Sequence, residues 1–223
     1  DKLSGGRVIL GVGRGIQDSV FTAFKLPTAE KRKVFQANLE LMLRAWRGEP
    51  IVEEDGVEAV RLAPLPVQRP HPPIWVAAFG PLALKQVAGL GFPYLASPVE
   101  GLEALENNYR QYHDHLAAAG NEPVTTIPVM RTILVTDKAK LAADTRAALQ
   151  KTVPPAMRDR ASGVDDWAIV GAGWYVRDKV QEYVQRLGIS HLIARGRLPG
   201  IGASDQLGSH EALLDIAAQL QVR

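Results

Sequence analysis

The feature that most constrains this chain is a regular alternation of short apolar runs with helical patterns. Residues 7–10 (Arg-Val-Ile-Leu) form an apolar run that ends in glycines and reads as a strand buried on both faces. From about residue 28 a helix begins: Pro27 and Thr28 supply the stop and the N-cap, and Phe35, Leu39, Met42 and Trp46 share one face until Gly48 closes it. Residues 51–62 alternate weakly around Asp55-Gly56, a hairpin-turn pair. A proline-rich approach then leads into Ile74-Trp75-Val76-Ala77-Ala78, an extended second strand. Pro81 suits the first position of a helix ended by Gly91. Residues 93–96, 125–135 and 191–195 read as further strands, and Trp167-Ala-Ile-Val-Gly171 is another short apolar run. Helices are expected over 102–119, 141–149, from Val176 to Leu187, and over 211–220, with a mobile insertion at 153–166. Strand followed by helix throughout predicts parallel β/α units, as open doubly wound sheets and (β/α)₈ barrels both have. Five strands are firm, and a closed barrel has eight.

The first strand runs into Gly11-Val12-Gly13-Arg14-Gly15. A dinucleotide-binding turn needs a glycine where Ile16 stands and an acidic residue about twenty positions on, where the chain has a helix instead. No Gly-Lys-Ser/Thr follows either, so the loop is not a P-loop. Glycines at the carboxyl end of a parallel strand let a ligand approach the backbone, and Arg14 adds a charge suited to phosphate. A tight turn with a surface arginine fits the spacing equally well.

Composition narrows the class. The 223 residues carry 26 basic and 24 acidic side chains, a net charge of +2, which points away from nucleic acid and membrane surfaces. There is no cysteine, hence no disulfide, thiolate metal site or cysteine nucleophile. No apolar run approaches the ~20 residues of a membrane span and no signal peptide is visible, so a cytoplasmic location is expected. His113 and His115 lie two apart and would diverge on a helix, so they make no metal pair. His71 reads as structural, and Trp174 as an aromatic packed between helices.

Four stretches resemble the bacterial luciferase-like flavin monooxygenases: Leu3-Ser4-Gly5-Gly6-Arg7 into ILGVGRG; Glu30 and Arg32 into NLELMLRAWRGEP; PVQRPHPPIWVAAFGPLALKQVAGLG; and WAIVG with Val176, Val180 and LGISHLIARGRLPG. The resemblance implies a (β/α)₈ TIM barrel present in part, from about strand 4 to strand 8, with residues 1–223 forming one domain that lacks the family's first three β/α units. It implies reduced FMN, supplied by an NAD(P)H-dependent flavin reductase, acting with O₂ on a small organic substrate in a homo-oligomeric enzyme. By the same resemblance Arg14 and Arg32 contact the flavin phosphate. Gly13, Ala77, Ala78, Phe79 and Gly80 form the backbone cradle beside it, with Phe79 offering no side-chain hydrogen bond. Gly173 and Trp174 replace the Pro-Glu that relatives often carry, and Arg195-Gly196-Arg197 ends the last strand at the site's mouth. No catalytic residue is nominated, because the family's polar groups on its first three strands have no counterpart here. Two alternatives accompany this reading: a deazaflavin-dependent dehydrogenase of the same superfamily, and a non-catalytic, shortened flavin-binding protein or inactive remnant.

Overall fold

A computed structural model describes residues 1–15, 18–52, 56, 58–153, 163–195 and 198–220. The chain divides into two compact units, residues 1–77 and 78–223.

In the first unit, strand β1 (Leu10–Gly13) pairs in parallel with β2 (Ile74–Ala77), Leu10 facing Ile74 and Gly13 facing Ala77. β2 is rich in β-branched and aromatic side chains, which favour a pleated, buried surface, and Ile74, Trp75 and Val76 are buried. β1 departs from expectation. It begins at Leu10 rather than at Arg7, and its residues alternate between half-buried and exposed. The reason lies in the hydrogen bonding: the Val8 carbonyl accepts from the Gln68 side-chain amide (2.8 Å), so the preceding residues are tied to the proline-rich segment rather than to a strand. The Asp1 carboxylate completes that tie by accepting from the Val67 and Gln68 backbone N–H groups at 2.7 and 2.9 Å.

Between the strands lie helix α1 (Asp18–Ala23), a 3₁₀ turn (Thr28–Glu30) and helix α2 (Lys31–Trp46). Thr28 is not the cap of α2. Pro27 leads into a tighter turn in which the Glu30 N–H donates to the Pro27 carbonyl, so the α-helix starts three residues later, with Glu30 at its N-cap and no side-chain cap. Gly48 follows the helix at φ +80°, a conformation that glycine adopts without strain. The hairpin expected around Gly56 is supported by an antiparallel bridge between Val52 and Val60; Asp55 lies outside the described residues.

The second unit holds helices α3 (Pro81–Leu90) and α4 (Leu102–Ala118) around the short strand β3 (Tyr94–Leu95), then strand β4 (Pro128–Val135), helices α5 (Ala139–Gln150) and α6 (Val164–Trp167), strand β5 (Ala168–Gly171), helix α7 (Gly173–Leu187), strand β6 (His191–Ala194) and helix α8 (Ala203–Gln219). β4 is the centre of a parallel sheet in the order β5-β4-β6. The described residues therefore contain six strands rather than five, because Ala168–Gly171 forms a strand of its own against Thr132–Val135. Of the expected insertion, residues 154–162 lie outside the described residues, and Val164–Trp167 is a single helical turn.

Two cores result. One is apolar: Leu134, Leu149, Trp167, Val170 and Leu198 are all nearly or fully buried in one cluster. The other is polar and aromatic. Tyr94, Tyr109 and Tyr112 are buried together, and the Tyr109 hydroxyl lies 3.1 Å from the Tyr94 carbonyl and 3.0 Å from that of Pro128. Glu100, only 6% exposed, accepts from Asn108 Nδ2 (2.8 Å), the Ser97 N–H (3.3 Å) and the Tyr94 hydroxyl (3.4 Å). The fully buried Arg131 donates through Nε to the Tyr183 hydroxyl (2.9 Å) and through Nη1 to the Ser97 and Met130 carbonyls, joining β4, α7 and the turn after β3.

Burial raises the Glu100 carboxyl above the ordinary carboxylate range, and its hydrogen bonds and Arg131 pull it only partly back. A raised carboxyl makes the folded state bind the proton more tightly than the unfolded state, so stability falls as pH rises above about 4.3. Glu100→Gln keeps the acceptor for Asn108 without a titratable proton. Its amide NH₂ then faces the Ser97 N–H, so the variant should melt lower at acid pH, yet it should flatten that fall; thermal melts from acid to neutral pH would show parallel curves for the two proteins if this assignment is wrong.

Candidate functional site

In the first unit a cavity of about 320 Å³ opens beside the carboxyl end of β1. The strand end contributes Val12, Gly13 and Arg14, and Phe21, Leu26 and Pro27 contribute from α1 and the segment after it. Helix α2 contributes Lys31, Val34, Phe35, Asn38, Leu39 and Met42, which recur at i, i+3, i+4, i+7, i+8 and i+11 and hence form one stripe of the helix. The lining is apolar apart from Asn38 and two cations, and it contains no carboxylate.

Arg14 is half-buried. Burial, and secondarily the charge of Arg32, hold its guanidinium below its ordinary pKa, so a positive charge is kept partly desolvated and next to another positive charge. An anion at this point relieves both penalties. Arg32 itself is exposed on α2 and is not part of the lining; it reaches Arg14 through its field. Lys31, half-buried, places its Nζ 6.0 Å from the centre of the Phe21 ring, on the wall of the cavity.

Of the residues singled out in the sequence, the first unit brings Gly13, Arg14 and Ala77 together at the ends of the paired strands. A Cβ on Gly13 would sit 3.3 Å from the Ala77 Cβ, so glycine here leaves a shallow floor of small residues, exposed on both strands. In the second unit Ala78 is buried, with its N–H directed to the Leu95 carbonyl (3.4 Å). Phe79 packs against the apolar cluster around Trp167. Gly80 has φ +86° and ψ 164° and caps α3, with Pro81 at the first helical position and the carbonyl of Gly80 accepting from Ala83 and Leu84.

The remaining candidates separate. Trp174, in the first turn of α7, is 66% exposed and edge-on to Tyr175, and is not packed between helices as expected. Arg195 is exposed, and Gly196 and Arg197 lie outside the described residues. His113 points to solvent, and no group of three potential metal ligands occurs among the described residues. Sequence reasoning missed Lys31, although it begins the very stripe that marks the helix. No helix among the described residues is long and apolar enough to cross a membrane.

The family model for luciferase-like monooxygenases matches residues 1–163, and the chain belongs to that family. It is 27% identical over 224 residues to the uncharacterized protein y4wF of Sinorhizobium fredii (strain NBRC 101917 / NGR234), covering 89% of this chain and 65% of that protein. The chain thus spans about two thirds of that relative's length. Among solved structures it is similar to the oxygenating constituent of 3,6-diketocamphane monooxygenase from the CAM plasmid of Pseudomonas putida, a type II Baeyer-Villiger monooxygenase in complex with FMN. That match has 18% identity and a TM-score of 0.77 over 99% of this chain and 73% of that one. It is also similar to the coenzyme F420 dependent tetrahydromethanopterin reductase of Methanopyrus kandleri, with 16% identity and a TM-score of 0.70 over 96% of this chain and 76% of that one. At such identities the likeness shows fold alone: an α/β chain of the luciferase-like, TIM-barrel type.

Gly80, in the turn before α3, allows a local test of its own. Its backbone lies where an L side chain is strained, so Gly80→Ala should cost about 1–3 kcal/mol. A lowered urea midpoint at unchanged slope is the expected result; an unchanged midpoint would show that the turn before α3 does not hold this conformation.

Proposed function

We propose that this chain binds the phosphate of a flavin nucleotide, FMN, and serves a flavin-dependent oxidoreductase that uses O₂ on a small organic substrate. The observation that carries the reading is the half-buried Arg14, beside Arg32 and at the edge of an apolar cavity without carboxylates. Those residues fit such a group: the guanidinium offers planar donors to phosphate oxygens, and the cavity walls suit an uncharged, largely apolar body. Gly13 and Ala77 allow a ligand close to the backbone. Bound and reduced, the flavin supplies the electrons for oxygen chemistry; the chain's own contribution is to bind, orient and exclude water. In this reading residues 1–223 are one luciferase-like domain holding barrel strands from about the fourth to the eighth, and a flavin reductase and a homo-oligomeric state accompany it.

A second reading, a deazaflavin cofactor and hydride transfer, draws support from the likeness to the F420 dependent reductase. Absorbance spectra of the protein titrated with FMN and with F420 separate the two. For the first reading, Arg14→Gln should weaken FMN binding about 10- to 100-fold, the worth of one charged hydrogen bond, and leave riboflavin, which has no phosphate, unaffected. Equal FMN affinity in variant and wild type overturns the assignment. FMN binding without oxygen-dependent turnover in the presence of a flavin reductase would favour the non-catalytic alternative.

A further inference from the structure

Resting on that reading of the cavity, we propose that Lys31 is the second cationic arm of the anion site and selects phosphorylated over unphosphorylated ligands, whereas Arg32 acts only at a distance. The argument is positional. Lys31 and Arg32 are neighbours on α2, but successive residues of a helix point about 100° apart. Lys31 begins the stripe that continues through Val34, Phe35 and Leu39 along the cavity, so its side chain shares a compartment with Arg14. Arg32 falls outside that stripe and is exposed.

Electrostatics points the same way. Among the described residues no carboxylate lines the cavity beside Arg14 and Lys31, and the Lys31 ammonium lies over the Phe21 ring. The first turn of α2 carries Lys31, Arg32 and Lys33 against the single carboxylate of Glu30 at the N-cap, so a net positive charge stands at the positive end of a helix dipole. Such a cluster is unfavourable in isolation. A doubly charged phosphate between Arg14 and Lys31 turns that cost into binding energy, and a neutral ligand leaves it unrelieved. A lysine that merely lays its stem along an apolar wall with its head in water would give no such discrimination.

The test compares Lys31→Met, Lys31→Arg, Arg32→Gln and Arg14→Gln by equilibrium titration with FMN and with riboflavin, after circular dichroism confirms that each variant is folded. Lys31→Met should weaken FMN about tenfold, the worth of one exposed-side charged contact, and leave riboflavin unchanged; Lys31→Arg should restore most of the loss. Arg32→Gln should have a smaller effect that vanishes at high salt. If Lys31→Met binds FMN like the wild type while Arg14→Gln does not, the role given to Lys31 is wrong and the flavin reading stands. If both bind FMN like the wild type, both fall. Equal losses for FMN and riboflavin would mark Lys31 as a packing residue and overturn the proposal.

Discussion

The parallel pairing of β1 with β2 is the constraint on which the first unit's site depends. The register sets Gly13 against Ala77, so the two smallest side chains available end the strands side by side. Arg14 leaves the strand immediately beyond that floor. A slip of one residue would exchange the faces of every side chain, turning Val12 toward the position of Gly13 and carrying Arg14 away from the cavity. The register is therefore as much a part of the site as any charged group. It is held by ties outside the strands: the Leu10 N–H on the Pro73 carbonyl, and Asp1 and Gln68 clamping the segment that precedes β1.

The second unit solves a different problem. Its sheet is covered on one side by an ordinary apolar cluster, but the region of β3 and α4 buries a carboxylate, a guanidinium and three phenols. Each is tolerated because it is hydrogen-bonded: Glu100 by Asn108, Ser97 and Tyr94, and Arg131 by Tyr183 and two carbonyls. Arg131 Nη2 and Thr132 Oγ1 have no partner among the described residues, a cost that the surrounding contacts must outweigh. Such a network fixes where the turn from β3 to α4 can lie more narrowly than apolar packing alone, because each donor accepts few directions.

How much of this was legible in the sequence depended on whether the signal was local. Pro81 at the start of α3 and the left-handed glycines Gly91 and Gly188 at the ends of α3 and α7 fall where their backbone preferences put them. The start of β1 is not legible locally, because Val8 and Ile9 look like strand residues and only a long-range bond from the Gln68 side-chain amide to the Val8 carbonyl takes them out of the strand. α1 escaped notice because six residues are too few to display a period. In the candidate site, Arg14 and the glycine floor could be read from the loop itself. Lys31 was hidden in the run Glu30-Lys31-Arg32-Lys33, which resembles a solvated charged surface until the helix is drawn and one of the three cations turns inward.

Because α2 supplies both a charged head and an apolar wall, it acts as a ruler. From Lys31 to Met42 the helix advances eleven residues, about 16 Å along its axis. In the proposed binding mode, the span from an anionic group to the far end of the ligand is set by a rigid rod and not by a loop. Lengthening the rod by a single residue would rotate everything beyond the insertion by about 100°, so the depth of this wall is adjustable by side-chain bulk and not by the number of residues.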